Sequence, residues 1–413
     1  MNGSPICSLH IRLDMSGGVP AFVVVDSTLN NTSSGGLRIQ EDVTMDEVRT
    51  LAREMTLKYS FIGLPRGGAK SGIAIPSPAA PGEKRRLLRE MGSRLAPLIR
   101  KGIYYPGMDM NCGPEDLKAL YRGAGITLER VTDTSYFTAL SAAGAVEACR
   151  DFLGGGKRPL TLAVEGFGSV GSYLAQRLPE EAYRIVAVST VKGAVMDERG
   201  LSVPRLSSLR KEYGDDCVLR MPGKRIPKEE LFAARVDILL PSARTWVLHG
   251  GNAGSVGARC IVPIANAPYT EEALQILRER GIVCLPGFVV NSGGVYASSL
   301  YDSGVSSGEI ERISGSLFRE TVFRLLLKSR EVGQSPVGIA ERIALDRLEA
   351  AGRSGNEKKK LDRAMERLFR ERLFPGRWYA RRYAMKFSGN LMRLQRQIEG
   401  YSPSAAEGGA SPC

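Results

Sequence analysis

Residues 160–171 read LTLAVEGFGSVG, an apolar run closing on Glu165 and opening onto Gly166-Phe167-Gly168-Ser169-Val170-Gly171. The run Leu160–Glu165 predicts a buried strand and Val170–Leu178 a helix, so the glycines fall in a strand-to-helix turn. In such a turn Gly166 permits the tight bend, Gly168 lets backbone approach a pyrophosphate, and Gly171 lets helix and strand pack closely. The helix N-terminus offers unpaired N–H groups to an anion. Gly166, Phe167, Gly168, Ser169, Val170 and Gly171 are therefore expected to hold a dinucleotide. The competing reading is an ordinary glycine turn.

Working outward, the next strand (Arg184–Ser189) ends in Ser189-Thr190, with Lys192 close by, where an Asp or Glu would hold an adenosine ribose. Ser189 and Thr190 join the expected cofactor site. Without a local carboxylate a 2′-phosphate meets no repulsion, so NAD and NADP both remain open. Further short apolar strands are predicted at Val236–Leu240, Cys260–Ala265 and Ile282–Leu285. Strands alternating with helices imply a parallel sheet covered on both faces, an α/β Rossmann-like domain. Gly154-Gly155-Gly156, followed by Lys157-Arg158-Pro159, reads as an interdomain connection.

Upstream, Pro20–Asp26 predicts a buried strand. Thr44 and Glu47 form the signature of a capping box. The helix they start carries Val48, Leu51, Ala52 and Met55 on one stripe, and the same spacing brings Lys58 onto it. Burying an ammonium is costly without a partner, so Lys58 needs a reason to be there. A second helix begins at Gly113-Pro114. The segments PRGGAKSG (65–72), containing Lys70, and YYPGMDMN (104–111), containing Asp109, place charges where structure alone gives little reason for them.

Length and charge bound the rest. At 413 residues the chain is expected to form two domains. No run of 18 apolar residues is present and the first dozen residues lack the apolar centre of a signal peptide, so neither a membrane span nor export is expected. Seven cysteines without a CxxC pair, beside two histidines, suit reduced cytoplasmic thiols and no metal site. The net charge of +13 is concentrated at the end: residues 353–413 hold 14 Lys/Arg against 6 Asp/Glu. There Lys358-Lys359-Lys360 leads into Leu361, Met365, Leu368, Phe369 and Leu373 at helical spacing, followed by Trp378, Tyr379, Tyr383 and Phe387. This tail reads as a helix packed on its own body, with nucleic acid, anionic lipid or a partner helix as the other reading.

Taken together these motifs resemble the glutamate/leucine/phenylalanine/valine dehydrogenase family. The resemblance runs from about Phe22 to Ala350. It covers Gly35-Gly36-Leu37-Arg38, the Lys58, Lys70 and Asp109 segments, Gly166–Gly171, Asp237–Pro241, Ala265-Asn266-Ala267-Pro268 and Asn291-Ser292-Gly293-Gly294-Val295. It implies that Lys58, with Gly35 and Gly36, binds the substrate's α-carboxylate end, that Lys70 is the catalytic lysine, and that Asp109 transfers protons. It also implies that Asn266 and Asn291 line the nicotinamide side and that Ser298 reaches the substrate.

The implied reaction is reversible oxidative deamination of an L-amino acid to its 2-oxo acid and ammonia with NAD or NADP. A non-catalytic dinucleotide-binding homologue is the alternative. A neutral lysine can activate water, but a free lysine (pKa ~10.4) is charged at neutral pH. A second cation and desolvation would lower it.

The chain departs from the family's pattern in three places. Ser34 stands where glutamate-specific members carry a lysine for the side-chain carboxylate, although Ser298 matches their serine; glutamate and a neutral amino acid are left level, with Arg38 or Arg66 as substitute cations. Pro263-Ile264 replaces a Glu-Gly, and Gly287 replaces an Asp.

The expected domains are 1–138, completed by 310–352, for substrate binding and homo-oligomerisation, 139–309 for the cofactor, and 353–413 as a basic extension. A cleft between the first two is expected, with Gly154–Gly156 and Asn291–Gly294 as hinges.

Overall fold

The structure, a computed structural model, describes residues 8–76, 79–129, 131–156, 158–302, 305–353 and 389–403. The chain forms two compact units, passing from the first to the second at Thr132–Asp133 and back to the first at Ile343–Ala344.

The first unit is built on a five-stranded sheet of order β1-β2-β4-β3-β5. Its strands are β1 (Leu9–Asp14), β2 (Pro20–Val25), β3 (Ser33–Ile39), β4 (Gly67–Ile73) and β5 (Tyr104–Met108). β1, β2 and β4 pair antiparallel, while β4, β3 and β5 run parallel. The continuous apolar run of β2 follows from burial on both faces. Ala21, Val23 and Val25 join Leu37, Ile73 and Tyr104 in the core containing Leu87, Leu88 and Met91 of helix α2 (Pro81–Arg100) and Leu117 and Leu120 of helix α3 (Pro114–Gly123). Phe22 and Val24 face the other way, onto Val48 and Ala52 of helix α1 (Met45–Ile62). The Thr44 hydroxyl caps α1 by accepting from the Glu47 N–H, and Gly63 ends it at φ 73°.

The second unit holds a seven-stranded sheet of order β12-β11-β10-β6-β7-β8-β9. Its strands are β6 (Leu160–Glu165), β7 (Tyr183–Thr190), β8 (Gly193–Met196), β9 (Lys224–Ile226), β10 (Ile238–Pro241), β11 (Cys260–Ile261) and β12 (Val283–Cys284). It is parallel from β12 to β7, as the apolar runs predict, and ends in an antiparallel β7–β8–β9 edge. Two helices of this unit used below are α4 (Ser135–Phe152) and α5 (Ser169–Arg177).

Three expectations about domain organisation are corrected. The first boundary lies at Thr132–Asp133, not at 138, because all of α4 belongs to the second unit. The helix Ser307–Val332, expected to return to the first domain, packs along α4 instead. The small residues of α4 allow this approach: a Cβ at Gly144 would lie 3.0 Å from the Arg319 backbone nitrogen. Only from Ala344 does the chain rejoin the first unit, where the Arg347 side chain donates to the Ser60 carbonyl. The triple glycine lies inside the second unit, between α4 and β6, where Gly154 at φ 73° terminates α4 in a left-handed cap. Asn291–Gly294 also lies inside that unit.

Of the basic tail, residues 389–403 are described. They pack on the helix Ser307–Val332 with Leu391, Leu394 and Ile398 fully buried, the Gln395 amide donating to the Thr321 hydroxyl, and Arg324 pairing with Glu399. The Lys358–Lys360 run and the amphipathic and aromatic residues Leu361 to Phe387 lie outside the described residues. Among the described residues no helix is long and apolar enough to cross a membrane.

Candidate active site

In the first unit the pairing register decides which side chains meet. Ser34 sits opposite Gly68 on β4 and Tyr105 on β5, and Gly36 lies opposite Gly107. Alternation along the strands then puts Ser34, Gly36, Arg38, Gly68, Lys70 and Tyr105 on the face that α1 covers. Asp109 follows immediately after β5, in a turn where the Cys112 N–H donates to its carbonyl and Asn111 adopts φ 58°. Gly36 makes room for it, since a Cβ there would lie 2.7 Å from the Asp109 Cβ.

Four charges converge. Lys70 Nζ is 2.8 Å from Asp109 Oδ2, and Arg38 Nε donates to the same oxygen at 3.2 Å. Arg38 Nη1 also donates to Glu47 Oε1 at 2.6 Å. Arg38, Glu47 and Lys70 are nearly inaccessible, while the Asp109 side chain keeps 16 % of its surface open. Buried ion pairs of this kind are weak evidence for stability, because desolvation offsets their attraction. They are good evidence for preorganisation.

Each proton equilibrium follows from its surroundings. Burial pushes the Asp109 carboxyl up, but Lys70 and Arg38 outweigh it and hold the group well below the ordinary carboxylate range. Burial also lowers the Lys70 ammonium, assisted by Arg38 and opposed by Asp109, and the net direction is down. Lys58, on the inward stripe of α1 and buried, falls to about 8, through desolvation first and Lys70 next, with Glu54 opposing. Lys70 thus adds to the lowering of Lys58, whereas the cation that adds to the lowering of Lys70 is Arg38.

Arg38 and Glu47 are the residues whose part in this site the sequence reading missed. In the sequence Glu47 shows only as the fourth residue of a capping box. An arginine two positions after Gly36, inside a Gly-rich strand, is the signal the sequence offers.

The substrate-side expectations are distributed as follows. Gly35 serves strand packing: a Cβ there would fall 1.5 Å from the Ala69 carbonyl oxygen. The Ser34 hydroxyl donates to the Tyr105 carbonyl at 2.9 Å. Arg38 is committed to two carboxylates. Arg66 lies over the Tyr105 ring, 5.3 Å from its centroid, and has no ion pair among the described residues. Ser298 is half-buried on the helix Gly293–Asp302 of the second unit.

In the second unit the glycine turn is formed as expected. Gly166 takes φ 91°, and a Cβ there would meet Ala243 at 2.8 Å. A Cβ at Gly171 would lie 2.4 Å from the Gly166 carbonyl oxygen, so only glycine allows α5 this close. Gly168 is the N-cap of α5, with no side-chain cap and open space around it, which leaves the first N–H groups facing outward.

The end of β7 braces this turn. The Ser189 hydroxyl accepts from the Gly166 N–H at 3.2 Å, and its carbonyl accepts from the Phe167 N–H. The Thr190 hydroxyl donates to the Asp215 carbonyl and accepts from the Lys192 N–H, placing Lys192 in the β7–β8 turn.

Asn291 and Asn266 do meet, the Asn291 amide donating to Asn266 Oδ1 at 3.0 Å and to the Ile264 carbonyl at 2.9 Å. The Asn291 Oδ1 is buried with no protein partner, an acceptor left open beside Asn266. Ala267 follows at φ 45°, a strained geometry of the kind functional loops retain. A glycine cradle, a bare helix N-terminus and an unfilled amide acceptor fit a dinucleotide with a nicotinamide carboxamide.

Sequence comparison bears on both units. The profile described as "Glu/Leu/Phe/Val dehydrogenase, dimerisation domain" matches residues 5–124, and that described as "Glutamate/Leucine/Phenylalanine/Valine dehydrogenase" matches residues 125–309. The chain belongs to this family.

Among its relatives, the glutamate dehydrogenase of Thermotoga maritima is 34% identical over 315 residues, covering 71% of this chain and 75% of the relative. The NADP-specific glutamate dehydrogenase of Saccharolobus shibatae is 33% identical over 67% of this chain and 69% of its own length. The NAD-specific glutamate dehydrogenase of Clostridioides difficile is 31% identical over 74% of this chain and 79% of its own length. Among solved structures, hetero-hexameric glutamate dehydrogenase from Thermus thermophilus in a Leu-bound form superposes with TM-score 0.71 at 26% identity, covering 84% of this chain and 88% of that one. L-tryptophan dehydrogenase from Nostoc punctiforme shares the fold, with TM-score 0.58 at 21% identity. The protein is thus an amino-acid dehydrogenase of this family, using NAD or NADP.

Proposed function

We propose that the protein catalyses reversible oxidative deamination of glutamate, with Lys70 and Asp109 as the proton-handling pair and Lys58 as the partner of the substrate α-carboxylate. The observation that carries the reading is the 2.8 Å Lys70–Asp109 contact beside a second buried lysine in one unit. In the deamination direction a nicotinamide held in the second unit would supply the acceptor for hydride from the substrate Cα, and water must then add to the imine carbon.

Lys70 Nζ, when neutral, takes the proton from that water, and burial favours that neutral form by lowering its pKa. Asp109, kept ionised by Lys70 and Arg38, receives and returns protons between water and the departing amine. Arg38, anchored by Glu47, is a positioning residue for Asp109. Gly166, Gly168 and Gly171 with the N-terminus of α5 would hold the pyrophosphate, and Asn291 with Asn266 the nicotinamide.

The choice of glutamate draws on Arg66. A side-chain carboxylate needs a cation, the lysine of glutamate-specific members is Ser34 here, and Arg38 is already paired. Arg66 stacks on Tyr105, the strand partner of Ser34, and keeps its charge uncommitted among the described residues. The naming of the relatives as glutamate dehydrogenases supports the same substrate. The first unit is also assigned to self-association into a homo-oligomer, in keeping with the description of its matching profile.

Initial rates of NAD(P)H formation from glutamate, leucine, valine and phenylalanine, in the parent and Arg66→Ala, test this. A charged hydrogen bond lost at a binding site predicts a fall of about 10–100-fold in kcat/KM for glutamate, with neutral amino acids nearly unchanged. A leucine or phenylalanine preference in the parent would replace glutamate with a neutral substrate. Sizing by light scattering checks the oligomer.

A further inference from the structure

The N-terminal edge of the second unit's sheet carries a concave surface of about 820 Å³. The glycine turn lies at the other end of β6, after Glu165, whereas this basin lies before Leu160. A six-residue strand separates the two by about 20 Å. Four arginines line it, Arg158, Arg235, Arg259 and Arg280, against one lining carboxylate, Asp237.

Asp237 organises two of them. Its side chain is 4 % exposed and accepts from Arg158 Nη1 and Nη2 at 2.9 and 3.0 Å, from Arg259 Nη1 at 3.1 Å, and from the Thr161 N–H at 2.9 Å. One buried carboxylate thus fixes two guanidinium groups that remain 64 % and 53 % exposed. Arg280 Nη1 donates to the Ala253 carbonyl, and Arg235 is exposed with no ion pair among the described residues.

Magnitudes decide whether this is merely structural. The C-termini of α4 and of the helix Glu271–Glu279 reach the basin at Leu153 and Arg280, and each contributes roughly half a negative charge. Together with Asp237 they offset about two of the four positive charges. A purely structural role for the arginines would be complete with two. The surplus, about two charges held on planar groups with unused N–H pairs, suits phosphate oxygens in bidentate contact better than a single carboxylate.

We propose that this basin binds the phosphate group of a small ligand, at a site separate from the dinucleotide turn. A phosphate group carries about −1.5 to −2 at neutral pH, which matches the surplus. Val236, Val256 and Ile282 line the same surface, so an apolar group attached to the phosphate would also be accommodated.

Isothermal titration of the full chain with inorganic phosphate, with and without saturating NADP, tests the assignment. The expected result is one saturable site per chain, weakened at least about tenfold in Arg235→Ala/Arg280→Ala and falling steeply with salt. Should the double variant melt earlier than the parent, Arg235→Glu alone, at an exposed position, carries the test. Absence of binding by the parent, displacement by NADP, or binding unaffected in the folded variants would each overturn the proposal.

Discussion

The charged cluster of the first unit, proposed for acid–base work, and the glycine turn of the second solve opposite problems. The first is crowded with buried charge: Arg38, Glu47, Lys58 and Lys70 each lie within a few per cent of full burial, and Asp109 binds two cations. The second is made of absences, with no Cβ at Gly166, Gly168 or Gly171 and no side chain capping α5. Proton transfer needs groups whose equilibria neighbours have displaced, and only a dense, desolvated cluster does that. Anion binding by backbone needs donors left unpaired and space to reach them. A substitution should therefore damage the first site by removing an atom and the second by adding one.

The largest effect tests the first half of that contrast. Lys70→Ala and Asp109→Asn are each expected to lower kcat by on the order of 10³–10⁴, with dinucleotide affinity within a few-fold of the parent. Near-normal turnover in either, measured by stopped-flow appearance of NAD(P)H, would remove these residues from the chemistry.

Adding atoms at the turn comes next. A Cβ added at Gly168 would meet no protein atom within 4 Å, so in Gly168→Val the fold should persist while NAD(P) affinity falls by roughly 10–100-fold. Fluorescence titration with NAD(P)H, alongside melting curves, separates the two outcomes. Unchanged affinity would move the pyrophosphate away from this turn.

A smaller effect concerns Lys58, whose ammonium is lowered to about 8 from an ordinary 10.5. Between those values the unfolded chain binds more protons than the folded one, so this group makes stability rise with pH across that window. Its full cost is present below about 8. Lys58→Met should accordingly raise Tm at pH 7, by about 2–4 °C for each kcal/mol relieved, with the gain shrinking toward pH 10.5. The KM for amino acid in the parent should rise as pH passes 8 and Lys58 loses its charge. A KM flat from pH 7 to 9 would argue against Lys58 as the α-carboxylate partner.

The smallest expected change lies at the β7–β8 turn. Lys192→Ala should reduce the NADP:NAD preference a few-fold, since one exposed lysine on a 2′-phosphate is worth little more. Kinetics with both cofactors read it, and an unchanged ratio would leave cofactor choice to other residues.

Much of this was legible without coordinates. The apolar runs at 20–26, 160–165, 184–189 and 236–240 became strands because burial on both faces erases alternation. Thr44 capped its helix, and Lys58 landed inside, because helical spacing is local. The glycine turn was readable because backbone conformation and close approach are properties of glycine itself.

What the sequence did not yield depends on contacts distant along the chain. The pairing of Arg38 with Glu47 and Asp109 joins three separate elements. The docking of the helix Ser307–Val332 on α4 follows from small residues whose partner lies more than 150 positions away. The triple glycine looked like a linker because a flexible composition is visible locally, whereas its use as a helix cap depends on where the chain turns next. The sequence by itself determined the strands, the caps, the glycine turn and the list of chemical groups. Only tertiary structure decided which charges share a carboxylate, because burial and the energy of an ion pair belong to the assembled environment and to no residue alone.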